Sequence, residues 1–143
     1  VEPEISFEGA HLMCETETVA LDLYAKLIDI LKEVGAYMPG IVLKLSFLSP
    51  GRMSMETLTA AEVGRRNVEV LSSRLPQDIG GVMFLSGGHP QDEVLEYLGA
   101  VKRQPNKIRN LSFSFARAIT NSVMKVWAGR PENVDAARAE LIK

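Results

Sequence analysis

The sequence has one cysteine, Cys14, no long apolar run and no block of basic residues. A lone cysteine excludes an internal disulfide framework and is typical of a reducing compartment, so we expect a cytoplasmic location. No stretch reaches the length of a membrane span and no signal peptide opens the chain, which predicts no membrane partner. The formal net charge of −2 carries no electrostatic signature of a nucleic-acid partner.

Metal ligands and cofactor motifs are also scarce. The two histidines, His11 and His89, are isolated, and neither a Cys/His cluster nor a glycine-rich dinucleotide fingerprint is present. The sequence therefore predicts no metal site and no cofactor. Packing in the core or between helices is expected for Trp127 and for the methionines Met53, Met55, Met83 and Met124.

Strand-like and helix-like segments alternate along the 143 residues, a length that suits one domain. Strands are predicted at 1–6, 40–48, 81–86 and 110–115, and helices at 16–34, 55–75, 91–103, 117–128 and from Pro131 onward. This alternation predicts an α/β fold with a parallel sheet. An open doubly wound sheet and part of a (β/α)8 barrel both fit. A complete barrel typically needs about 250 residues, so this chain can supply only about half of one.

Lys44 lies within the most apolar of these strand-like segments, which we interpret as buried on both faces. Burial disfavours the ammonium form and lowers the pKa of a lysine. A neutral lysine amine is a nucleophile that forms Schiff bases with carbonyl substrates. Alternatively, Lys44 lies at the end of the strand and extends its amine to solvent, and the strand alone favours this second interpretation.

Two acids and a glycine pair lie at the ends of predicted strands. Glu2 and Glu4 are two residues apart on a strand, so they share a face and are suited to proton transfer. The alternative is a solvated terminus with two surface acids. Ser86, Gly87 and Gly88 follow a strand and precede a helix, where backbone N–H groups can approach a phosphate. A simple tight turn is the other interpretation.

Ser114 and Arg117 close the fourth predicted strand. Arginine in this position is suited to bind phosphate through two parallel hydrogen bonds, although a surface arginine fits the pattern equally well. Ligands of parallel α/β sheets bind beyond the carboxyl ends of the strands, so these polar residues are expected to share one rim. An amine, two carboxylates and two phosphate-binding loops together fit carbon–carbon bond chemistry on a phosphorylated ketose.

Five stretches, in order and at matching spacing, resemble class I fructose-1,6-bisphosphate aldolases. They are VEPE at 1–4, LK at 43–44, FLSGG at 84–88, LSFSFARA at 111–118 and KVWAGRPENV at 125–134. The resemblance implies a TIM barrel of the (β/α)8 type. Residues 1–143, a single region, would supply its last four β/α units and a C-terminal helix.

The resemblance also implies a role for each matched residue. Lys44 corresponds to the Schiff-base lysine, Glu2 to the acid/base glutamate and Glu4 to a supporting acid. Six residues would bind a substrate phosphate: Ser86, Gly87, Gly88, Ser114, Ala116 and Arg117. The implied reaction is reversible cleavage of fructose 1,6-bisphosphate to dihydroxyacetone phosphate and glyceraldehyde 3-phosphate.

The sequence also departs from the family pattern. Leu45-Ser46-Phe47 stands where Pro-Asn-Met is usual, and Ala116 replaces a glycine, so fine substrate preference is open. The first four strands of the barrel are absent, so we expect pairing with an N-terminal half barrel or with a second copy, as a homo-oligomer. Alone, the chain is not expected to be a competent aldolase. The alternatives are a Schiff-base aldolase for another phosphosugar and a non-catalytic half-barrel interaction module.

Overall fold

A computed structural model describes residues 1–143 and contains one parallel sheet of three strands in the order β1–β2–β3. The strands are β1 Val42–Ser46, β2 Gly81–Leu85 and β3 Leu111–Phe113. The helices are α1 Met13–Glu33, α2 Ala60–Arg74, α3 Gln91–Arg103, α4 Arg117–Trp127 and α5 Val134–Ile142, with short 3₁₀ helices at Met38–Gly40 and Pro131–Asn133. None of the helices is both long and apolar enough to cross a membrane.

The register of the sheet separates a covered face from an open one. Side chains alternate between the two faces of a strand, and four of them are fully buried in the core cluster that the helices share: Leu43, Leu45, Val82 and Phe84. The opposite face carries the row formed by Lys44, Met83 and Ser112, which pair in register and are only partly buried. The prediction that the Lys44 strand is buried on both faces is therefore wrong.

The first predicted strand, residues 1–6, is not a regular strand in the structure. Its first residue pairs with β1: the Val1 ammonium donates to the Val42 carbonyl at 3.1 Å, and the Lys44 N–H donates to the Val1 carbonyl at 2.9 Å. Pro3 has no N–H and cannot continue this ladder. The Ile5 N–H instead donates to the Ser46 hydroxyl at 3.0 Å. The segment thus lies along β1 without forming a fourth strand.

The predicted helices are all present: α3 has the predicted bounds, and the other helices have shifted ends. α2 begins at Ala60 rather than near 55, because the side chain of Thr59 accepts from the Glu62 N–H at 3.2 Å and forms a capping box there. The Glu62 carboxylate in turn accepts from the Thr59 hydroxyl at 2.7 Å and from the Thr59 N–H at 2.9 Å, and these hydrogen bonds lower the pKa of Glu62. α1 ends where predicted, before Gly35, whose φ of +69° suits the left-handed turn after a helix. The last helix is a 3₁₀ turn from Pro131 followed by α5.

The prediction that Trp127 and the methionines at 53, 55, 83 and 124 pack in the core or between helices is wrong for Met53 and Met55. Trp127 and Met124 are exposed on α4, and Met53 and Met55 are exposed in the loop before α2. Met83 is half-buried on the open face of β2. Trp127 and Met124 line a cleft between α4 and α5, so the packing between helices holds for these two residues.

Gly64 allows α2 and α3 to approach closely. A β-carbon at this position would lie 2.7 Å from the carbonyl carbon and Cβ of Ala100 and 2.9 Å from the backbone nitrogen of Val101. Helix α3 thus packs directly against the backbone of α2. This contact fixes the position of α3, which begins just beyond the strand end of β2.

Replacing Gly64 by alanine is expected to lower the free energy of unfolding by about 1–3 kcal/mol, because the added methyl group forces the two helices apart. The opposing gain in helix propensity is about 1 kcal/mol. Denaturant unfolding followed by circular dichroism measures the free energy of unfolding of the wild type and of the variant. The matched control is Gly99→Ala, whose methyl group would meet only the flexible Arg103 guanidinium at 3.2 Å. A Gly64→Ala variant as stable as Gly99→Ala would contradict this packing.

Candidate functional site

A cavity of about 180 Å³ lies at the carboxyl ends of the strands. It is lined by Glu2, Glu4, Lys44, Leu85, Ser86, Gly87, Ser114, Ala116 and Arg117. Eight of these nine residues are candidates from the sequence, and they come from four separate segments of the chain. The ninth candidate, Gly88, borders the cavity, since a β-carbon on it would lie 3.6 Å from Nη1 of Arg117.

Lys44 and Glu2 form an ion pair in the cavity. Lys44 Nζ donates to Glu2 Oε2 at 3.0 Å, and the Lys44 side chain is 32% exposed. An ion pair this exposed contributes about 0–1 kcal/mol to stability. Its main consequence is therefore chemical, because a carboxylate lies within proton-transfer distance of the amine. The pairing of Val1 with β1 brings Glu2 to this position.

Two consecutive glycines form the turn that follows β2. The φ angles of Gly87 and Gly88 are +56° and +92°, and the His89 N–H closes the turn on the Ser86 carbonyl at 2.9 Å. Two positive φ values are typical of a type I′ turn, which favours glycine at both central positions. Glu4 lies beside this turn, with Oε1 3.8 Å from the position of a β-carbon on Gly87.

The third wall of the cavity is the beginning of α4. Ala116 precedes this helix with φ −113°, so its departure from the family glycine needs no left-handed backbone. No side chain caps the helix at Ala116, and the first N–H groups of α4 are free to meet an anion. Arg117 adds an exposed guanidinium against Gly88. Backbone donors and a full positive charge thus converge on one side of the cavity.

Two supporting residues were missed by the sequence reasoning. Ser46 accepts the Ile5 N–H and so ties the segment carrying Glu2 to β1. Asn67 is fully buried in α2, accepts from the Leu48 N–H at 2.8 Å and donates to the carbonyls of Leu48 and Val63 at 2.8 Å. The sequence does place Asn67 on the apolar face of a predicted helix, and that position could have indicated a buried hydrogen-bonding role.

Comparison with known proteins finds one family across the whole chain. A family model described as fructose-bisphosphate aldolase class-I matches residues 1–143. Over 142 residues, 99% of this chain, the sequence is 39% identical to the chloroplastic fructose-bisphosphate aldolase 2 of Arabidopsis thaliana, of which it covers 35%. It is 33% identical to the fructose-bisphosphate aldolase of Encephalitozoon cuniculi, over 100% of this chain and 43% of that protein.

The fold is similar to that of a solved aldolase. The Plasmodium falciparum fructose-bisphosphate aldolase, in a crystal with TRAP and a small-molecule inhibitor, superimposes with a TM-score of 0.92 at 32% identity. The match covers 99% of this chain and 41% of that one. The chain therefore spans about two fifths of the length of the relatives it matches.

The Ser46 contact generates a prediction about the N-terminal segment. Ser46→Ala leaves the Ile5 N–H without its partner, and a lost hydrogen bond of about 1 kcal/mol should speed local opening roughly fivefold to tenfold. Hydrogen exchange at the amides of Ile5 and Lys44 measures this opening. The control is Ser6→Ala, which removes only the exposed acceptor of the Glu8 N–H. Equal exchange in both variants would contradict the anchoring role of Ser46.

Proposed function

Since this chain belongs to the class I fructose-bisphosphate aldolase family, we propose that it carries the Schiff-base site for reversible cleavage of fructose 1,6-bisphosphate. The products are dihydroxyacetone phosphate and glyceraldehyde 3-phosphate. One observation carries the proposal: an amine, two carboxylates and the donors for a phosphate line the same cavity.

Lys44 is the proposed nucleophile. Its amine attacks the ketone carbon of the substrate and forms a carbinolamine, which loses water to give an iminium ion. The pair of electrons released when the bond between the third and fourth carbons breaks moves onto the iminium nitrogen and leaves an enamine. The proton of the fourth-carbon hydroxyl departs in the same step, and glyceraldehyde 3-phosphate is released. Protonation of the enamine carbon and hydrolysis then free dihydroxyacetone phosphate and restore the amine.

Glu2 is the proposed acid and base of these proton transfers. The ammonium of Lys44 must lose a proton before it can attack, and Glu2 Oε2 lies 3.0 Å from that nitrogen. The same carboxyl can protonate the departing water of the carbinolamine. Glu4 lines the same cavity beside the glycine turn and acts as the supporting acid.

The phosphate is proposed to bind between the turn after β2 and the beginning of α4. Ser86 and the N–H groups of Gly87 and Gly88 are the proposed donors from the turn after β2. From the α4 side, the donors are Ser114, the backbone at Ala116 and the guanidinium of Arg117. The α4 dipole adds partial positive charge to the same position.

We also propose that residues 1–143 form the last four β/α units of a TIM barrel. Support comes from the sequential order of the parallel strands and from the apolar residues exposed on α4. In this proposal the sheet is completed by an N-terminal half barrel or by a second copy of the chain. The protein then assembles as a homo-oligomer. A cytoplasmic location agrees with the lone cysteine, although several plant relatives are named chloroplastic.

The two alternatives to this function can be separated by simple measurements. Preference for fructose 1-phosphate over fructose 1,6-bisphosphate in the completed barrel would indicate a different phosphosugar. A chain that stays monomeric in size-exclusion chromatography and binds no phosphosugar would favour a half-barrel module without turnover.

The Schiff base itself can be trapped. Borohydride reduction in the presence of dihydroxyacetone phosphate, applied to the completed barrel, is expected to attach one three-carbon label to Lys44. Mass mapping of peptides locates the label. Lys44→Arg should remove it because the guanidinium stays protonated, whereas Lys102→Arg on the exposed face of α3 should leave it unchanged. A label on another lysine, or none, would show the mechanism to be wrong.

A further inference from the structure

His89 lies where three segments of the proposed site meet. Its ring stacks on Phe7, which ends the segment carrying the two acids, with centroids 3.9 Å apart at 21°. Its Nε2 lies 3.4 Å from the hydroxyl of Ser49, just beyond the Lys44 strand. Its N–H closes the glycine turn on the Ser86 carbonyl. The His89 side chain is 5% exposed, so these contacts are internal to the structure.

A carboxylate fixes the orientation and the tautomer of this ring. Nδ1 of His89 lies 2.7 Å from Glu93 Oε2, and the Tyr97 hydroxyl donates to Glu93 Oε1 at 2.8 Å. Burial, and then the hydrogen bond to Glu93, raises the pKa of Tyr97, so its hydroxyl remains a donor. Because the carboxylate only accepts, Nδ1 carries a proton, and in the neutral ring Nε2 is then the acceptor that faces the Ser49 hydroxyl.

This arrangement contains the residue types of a nucleophilic triad, but its geometry serves a different purpose. Ser49 is 2% exposed, and its backbone carbonyl also accepts from the buried Thr16 hydroxyl at 2.9 Å. The serine is therefore almost fully covered, and it borders, together with His89, a second cavity of about 320 Å³. The network connects elements that each carry part of the neighbouring cavity.

We propose that His89 is a positioning residue that holds the Gly87–Gly88 turn in its phosphate-binding conformation. Neither glycine has a side chain to restrict its backbone, so the turn depends on contacts from outside. Phe7 packs against Gly88, with Cε1 3.5 Å from the position of a β-carbon there, and His89 stacks on Phe7. The inference rests on the proposed function, which assigns phosphate binding to this turn.

The test compares two substitutions that remove the same charge from the first turn of α3. Glu93→Gln weakens the anchor of His89, whereas Asp92→Asn changes an exposed neighbour that makes no hydrogen bond to the network. The probe is inorganic phosphate, titrated into the 143-residue chain and followed at the amides of Gly87 and Gly88 by ¹⁵N NMR. Loss of a negative charge alone should tighten anion binding slightly in both variants.

Positioning predicts the opposite sign for Glu93→Gln. If the Gly87–Gly88 turn of Glu93→Gln adopts the binding conformation about one fifth as often as in the wild type, the apparent Kd for phosphate rises about fivefold. The Kd of Asp92→Asn does not rise. His89→Phe keeps an aromatic ring beside Phe7, loses both side-chain hydrogen bonds and is expected to weaken binding about tenfold. If Glu93→Gln and His89→Phe bind phosphate with the same affinity as Asp92→Asn, the inference is overturned.

A second readout needs no variant and no ligand. The imidazole ¹⁵N shifts of neutral His89 in the wild-type chain should report a proton on Nδ1, and a proton on Nε2 would overturn the proposed network. The outcomes also separate the two proposals. If the wild type binds phosphate and the substitutions in the network leave that affinity unchanged, only the proposed role of His89 is rejected. A wild-type chain whose Gly87 and Gly88 amides do not respond to phosphate rejects the phosphate site and this inference together.

Discussion

The in-register pairing of parallel strands is the constraint on which the rest of the structure depends. Lys44 pairs with Met83, and Met83 with Ser112, so the three strands end within one residue of the same level. The residues that follow the strands are then held together at one rim by the pairing of the backbone alone. The pairing of Val1 with β1 adds the two acids to the same rim.

The supporting structure behind this rim is polar as well as apolar. Asn67 satisfies the backbone of Leu48 from inside α2, and the Glu93 carboxylate orients His89 from α3. Unsatisfied polar groups at these buried positions would cost about 1–3 kcal/mol each, so both contacts also limit how far the loops can move. Helices α2 and α3, pressed together at Gly64, hold these groups in fixed relative positions.

Sequence reasoning predicted the helices and the three strands of the sheet because their apolar periodicity is local. Eight of the nine residues that line the cavity are candidates from the sequence, seven of them placed at strand ends by the parallel-sheet argument and Ala116 by the resemblance alone. Sequence reasoning failed at residues 1–6, where the missing N–H of Pro3 interrupts a ladder, and at the burial of the Lys44 strand on both faces. The alternative, in which the Lys44 amine extends to solvent, agrees with a side chain that is 32% exposed. The exposure of Lys44 depends on which sheet face the helices cover, and this is a tertiary property. The roles of Ser46 and His89 depend on partners about forty residues away.

The central claim is that one ligand reaches the amine and the phosphate donors together. A crystal structure of the completed barrel, reduced with borohydride in the presence of dihydroxyacetone phosphate, tests it most directly. The account predicts a covalent bond from Lys44 Nζ to the ligand, with its phosphate against the Gly87–Gly88 turn and the Arg117 guanidinium. A phosphate bound elsewhere, or a ligand attached to a different side chain, would contradict it.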